Sequence, residues 1–166
     1  LLAAGAALGD PAPLVLSGAE HERLLVALPA QAECVRNEDW RAGRTGSVQL
    51  ATRLRPDSDL CLAPIDVPRV PGEVFAALAR AWGAAGAPAR GWLAPYHGAE
   101  NARRFGHPLV LGRELLCALK GFPPDRPLRD LRALAEPLLA VAVASARILE
   151  DLDTPADLAG FDSDSS

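Results

Sequence analysis

Ser58 to Gly86 reads SDLCLAPIDVPRVPGEVFAALARAWGAAG, and two periodicities meet inside it. Leu60, Cys61 and Leu62 form a short apolar run of the kind a buried strand shows. Val74, Phe75, Leu78, Ala81 and Trp82 then recur at helical spacing until glycines close the segment. Between the two lies Asp66, flanked by Pro64 and Pro68. A buried strand, a loop and an amphipathic helix in that order make one unit of an α/β fold, with a carboxylate in the connection.

The alternation continues outward from this unit. Pro13–Ser17 reads as a strand ending at Gly18, and Ala19–Ala30 as a helix built on Leu24, Leu25 and Leu28 and ended by Pro29. Ala32–Asn37 reads as a second strand, Glu38–Gly46 as a loop, and Ser47–Leu54 as a helix capped by Ser47 with Val48, Leu50, Ala51 and Leu54 as its apolar stripe. Downstream, residues 90–110 suggest two strands with an excursion between them. Arg113–Gly121 and Pro127–Glu136 follow as helices and Pro137–Ser145 as a strand; Thr154 caps a last helix with Pro155 at its first position. Strand and helix alternating in this way predict an α/β fold with a mostly parallel twisted sheet flanked by helices in three layers. In such sheets ligands bind beyond the carboxyl ends of the strands.

Length and charge narrow the classes. A chain of 166 residues fits one domain, here residues 1–161, followed by an acidic tail at 162–166. A net charge of -4 argues against non-specific nucleic-acid binding, which needs a basic face. No apolar run approaches the roughly 18 residues that span a bilayer, so no membrane partner and a cytoplasmic location are expected. Cys34, Cys61 and Cys117 are widely spaced with no CxxC pair, and read as small core residues rather than metal ligands. His21 reads as a solvated residue on a polar helix face.

Two acidic positions follow strands. Asp66 is one, and its alternative reading is a loop aspartate making a turn. The other is Glu150, Asp151 and Asp153, whose alternative is an acidic cap of the following helix. Two carboxylates from separate strand ends suit one Mg²⁺, an ion that takes one or two carboxylates and completes its shell with waters and substrate phosphates.

Four motifs in order carry a family resemblance: LAAG at Leu2–Gly5, PIDVP at Pro64–Pro68, GHPLVLGRELL at Gly106–Leu116 and DLDTPADL at Asp151–Leu158. With the W–x–x–G–x–x–x–S spacing from Trp40 to Ser47, the chain resembles the MobA-like nucleotidyltransferases over nearly its whole length. The resemblance implies a Rossmann-like nucleotidyltransferase fold. It also implies Mg²⁺-dependent transfer of a nucleotide from GTP or CTP to a phosphorylated acceptor, molybdopterin first, with release of pyrophosphate. The alternative is a nucleotide- or pterin-binding module without catalysis. A molybdoenzyme or another cofactor-synthesis protein is the partner it suggests.

By the same resemblance, Ala3, Ala4, Gly5 and Ser47 would face the nucleotide, and Asp66 would be the catalytic carboxylate and first metal ligand. Asp151 or Asp153 would supply the second ligand, and His107, Arg104 and His97 would meet the acceptor. Members of the family continue from LAAG into a glycine-rich loop with an Arg and a Lys that wraps the triphosphate, and then a crossover helix. Here about eight residues separate Gly5 from Leu14, too few for the dozen or so that a parallel crossover takes. Together with the absence of methionine, this leads to the expectation that the phosphate loop and most of that helix are missing after Gly5.

Overall fold

The computed structural model describes residues 13–152. Two parallel strands, β1 (Leu14–Ser17) and β2 (Glu33–Arg36), are joined through α1 (His21–Ala27). A 3₁₀ turn at Trp40–Ala42 leads into α2 (Arg44–Leu54), then β3 (Leu60–Leu62) and α3 (Gly72–Ala84). After these come β4 (Trp92–His97), the short β5 (Arg104–Phe105), β6 (Leu109–Leu111) and α4 (Arg113–Cys117), which tightens into a 3₁₀ turn at Ala118–Gly121. A 3₁₀ run at Leu128–Leu134, β7 (Leu138–Ala142) and a 3₁₀ turn at Ala146–Leu149 complete the order.

The second sheet centres on β4. Strand β7 runs parallel along it from Trp92 to Tyr96, while β6 and β5 pair with it antiparallel at its start and end. Strand β6 is also antiparallel to β3, so β3, β4 and β7 share one direction and β6 runs against them. The α/β class stands, but the sheet is mixed where alternation predicts it mostly parallel. The reason is local. Only a few residues join β4 to β5, too few for a parallel crossover, so β5 returns antiparallel along β4 and β6 continues in the same direction along it.

Side-chain alternation along these strands divides the core into two layers. Cys61, Leu93, Val110, Leu139 and Val141 face α3, packing with Val74, Phe75, Leu78 and Trp82 and with Ile148 from the 3₁₀ turn behind β7. Leu60, Leu62, Trp92, Ala94, Leu109 and Leu111 face the other way, against Val48 of α2, Leu115, Leu116 and Leu119 of the α4 region, and Leu131. That second covering stops short of β7, leaving Leu138 and Ala140 exposed on the same face.

Three local expectations are corrected. Residues 128–134 form a 3₁₀ run rather than an α-helix, because Leu128, Leu131 and Leu134 repeat every three residues between Pro127 and Pro137. Helix α2 starts at Arg44, so Ser47 lies inside it and caps nothing. The capping position is Gly43, whose φ of 130° favours glycine and whose added Cβ would meet the Pro124 carbonyl at 2.6 Å. Cys117 is exposed rather than a core residue.

Candidate active site

A cavity of about 760 Å³ lies on the sheet face that the helices leave open. Its floor comes from Trp92, Ala94, Leu109, Leu138 and Ala140, the residues that alternation aims at that face. Asp66, from the loop after β3, and Asp151, from the segment after the last 3₁₀ turn, both line it. These two stretches are far apart in sequence, yet the Leu152 amide donates to the Asp66 carbonyl at 2.8 Å. The Asp66 carboxylate is split in use. Oδ2 accepts from Arg44 at 3.4 Å, whereas Oδ1 is buried and meets no hydrogen-bond donor among the described residues.

His107 stands at the same end of the cavity. Its amide donates to the Ile148 carbonyl at 3.0 Å, which ties the β5–β6 connection to the turn that leads into Asp151. Its Nδ1 is buried with no partner among the described residues. Burial, with the Arg44 charge second, pushes the imidazole below its usual pKa against the opposing pull of Asp66 and Asp151. The neutral ring is therefore the favoured form beside the carboxylates.

The carboxylates suit a hard divalent cation. Carboxylate oxygens are the ligands such ions take, and Asp66 Oδ1 is a buried acceptor that no protein donor satisfies. Among the described residues no three His, Cys, Asp or Glu side chains form a ready metal cage.

This geometry coincides with a match in sequence: residues 2–145 fit the MobA-like NTP transferase domain. The chain belongs to the MobA-like NTP transferase family. No curated protein matches it. Solved structures of low identity share the fold. Rv0371c from Mycobacterium tuberculosis H37Rv, crystallised in complex with manganese, is 19% identical at a TM-score of 0.72, covering 96% of this chain and 82% of its own. Molybdopterin-guanine dinucleotide biosynthesis protein A from Archaeoglobus fulgidus is 16% identical at a TM-score of 0.61, covering 92% of this chain and 77% of its own. The bifunctional IspDF of Campylobacter jejuni reaches a TM-score of 0.63 at 12% identity, over 87% of this chain and 40% of its own.

For this MobA-like chain the expected site residues fall into three groups. Asp66, Asp151, His107 and Arg104 come together around the cavity. Ser47 and His97 are not among its lining: Ser47 Oγ accepts from Asn37 Nδ2 at 3.0 Å, and His97 Nδ1 lies 3.3 Å from the Val143 carbonyl. Ala3, Ala4, Gly5 and Asp153, the Gly5–Leu14 junction and the helix expected after Thr154 lie outside the described residues.

Sequence reasoning missed three arginines of the cavity, Arg44, Arg129 and Arg132. The last two are three residues apart on the 3₁₀ run, where a period of three brings them onto one side. It also missed Asn37, which is buried directly after β2 and holds Ser47. His21, expected in solvent, instead places Nδ1 2.6 Å from Ser17 Oγ.

Proposed function

We propose that this MobA-like chain transfers a nucleotide from GTP or CTP to a small phosphorylated acceptor with release of pyrophosphate, molybdopterin being the first acceptor to try. The observation that carries this reading is the meeting of Asp66 and Asp151 on one cavity, with Asp66 Oδ1 buried and unsatisfied. Family membership supports nucleotidyl transfer as the chemistry, and the molybdopterin-guanine protein among the structural relatives motivates the acceptor. The manganese of the Rv0371c crystal supports a divalent cation, here Mg²⁺.

In the reaction an acceptor phosphate oxygen forms a bond to the α-phosphorus of the nucleotide, and the bond from that phosphorus to the β-phosphate bridging oxygen breaks. The nucleophile is already ionised, so no protein base is required. Asp66 and Asp151 would hold the cation, which when bound neutralises charge on the reacting phosphates. Arg44, paired to Asp66 Oδ2, fixes the orientation of that carboxylate and leaves Oδ1 free to coordinate. His107 in its neutral form adds no cation to compete for the two carboxylates. The apolar floor of Trp92, Leu138 and Ala140 carries the body of the acceptor.

The test is pyrophosphate release from GTP or CTP with molybdopterin and Mg²⁺, comparing the parent chain with Asp66→Asn. A loss of at least about 100-fold is expected for the variant, the scale of one lost electrostatic partner in a transition state. An Asp66→Asn protein of parental activity would end the assignment. Nucleotide binding without any pyrophosphate release from the parent would make the chain a binding module.

A further inference from the structure

The cavity carries more positive charge than the proposed reaction uses. Five arginines line it against two carboxylates, in a chain whose net charge is -4. Arg44 pairs with Asp66, and the Leu152 amide ties the Asp151 segment to Asp66, which marks the reacting end. The other four arginines belong to a different border, formed by β5 and the 3₁₀ run 128–134.

At that border two of the guanidinium groups rest on aromatic rings. Arg103 lies over Tyr96 at 4.7 Å and Arg132 lies over Phe105 at 5.7 Å, while the two rings pack on each other at 5.9 Å with tilted planes. Arg103 also donates to Glu100 at 2.9 Å. Arg104, Arg129 and Arg132 have no carboxylate partner among the described residues. Arg104, Arg129 and Arg132, collected on one cavity without an acid to pair them and with Arg132 seated on a ring face, are arranged for an anion that comes from outside. Guanidinium forks match planar or tetrahedral oxyanions, and ring stacking limits the freedom lost on binding.

We infer that Arg129 and Arg132, backed by Arg103 and Arg104, bind a second oxyanion of the acceptor, opposite the phosphate that reacts near Asp66 and Asp151. The acceptor class is then a small molecule with an apolar body, a phosphate at one end and a carboxylate or second phosphate at the other, which sets it apart from molybdopterin with its single phosphate. This rests on the reading of the cavity as the acceptor site, and it makes the 3₁₀ run a determinant of specificity.

Calorimetric titration of the whole chain in Mg²⁺ buffer at low salt tests it with a matched pair of probes. One is 4-carboxyphenyl phosphate and the other its neutral twin, 4-carbamoylphenyl phosphate; 1,4-phenylene bisphosphate asks whether phosphate replaces carboxylate. The carboxylate probe is expected to bind about tenfold more tightly than its twin, equal to about 1.4 kcal/mol. In Arg129→Gln/Arg132→Gln that ratio should fall to about one, with circular dichroism reporting an intact fold. Equal binding of the twins by the parent, a tenfold ratio that survives the double substitution, or no binding of 4-carboxyphenyl phosphate at millimolar concentration would each overturn the inference. Asp66→Asn separates the two ideas. It should weaken both twins and keep their ratio, and unchanged affinities in that variant would count against the transfer reading alone.

Discussion

Asp66, the proposed metal ligand, is a side chain on which the fold does not depend. Its partner Arg44 is 69% exposed, and an ion pair of that kind contributes only about 0–1 kcal/mol. Asp66→Asn should therefore lose activity while keeping a melting temperature within a few degrees of the parent, a combination that differential scanning calorimetry beside the pyrophosphate assay would reveal. Cys61 makes the opposite case. It packs against the α3 layer, and burial pushes its thiol up to about 12. The folded state keeps the proton that the unfolded chain releases above its ordinary value near 9, so this contribution is complete below pH 9 and disappears as pH rises toward 12. Cys61→Val should flatten the fall of stability between pH 9 and 12 in urea titrations; an identical slope in both proteins would remove Cys61 as its cause. Both residues were visible in sequence, Cys61 as part of an apolar run and Asp66 as the carboxylate after it. The partner Arg44 was not, because an arginine in a glycine-containing loop gives no sign of which carboxylate it will meet.

Among the elements, the connection from β5 to β6 does most to set the site. Gly106 lies so close to the turn after β7 that an added Cβ would run into the Ile148 carbonyl oxygen. That carbonyl accepts from the His107 amide, and the turn leads directly to Asp151. Gly106→Ala should cost about 1–3 kcal/mol through overpacking and should lower activity further by displacing Asp151. Urea denaturation and the pyrophosphate assay measure the two effects, and a fully stable, fully active variant would contradict the contact. The 3₁₀ run 128–134 teaches a related lesson about reading patterns. Its leucines and arginines both repeat every three residues, and in the 3₁₀ winding Leu131 is buried while Arg129 and Arg132 line the cavity. The proline boundaries were legible; the tighter winding shows only once the period of three is counted.

For the whole molecule, stability depends on two apolar layers separated by one sheet. Leu78 of α3 is fully buried in the first, whereas Leu25 of α1 is 46% exposed. Leu78→Ala should cost about 2–5 kcal/mol, while Leu25→Ala should stay within about 0.5 kcal/mol, as chemical denaturation of the two variants would show. Among the described residues no helix is long and apolar enough to cross a membrane. The sequence by itself determined the α/β class, the strands that enter the sheet, the buried face of α3 and the family, because these follow from local periodicity and from motifs that survive in order. Only the tertiary structure decided that β6 runs against its neighbours, that the covering layer stops before β7 and leaves a cavity, and that Asp66, Asp151 and five arginines line it together. Those outcomes depend on contacts between segments distant in the chain, and a pattern of neighbouring residues carries no record of which distant segments will pack together.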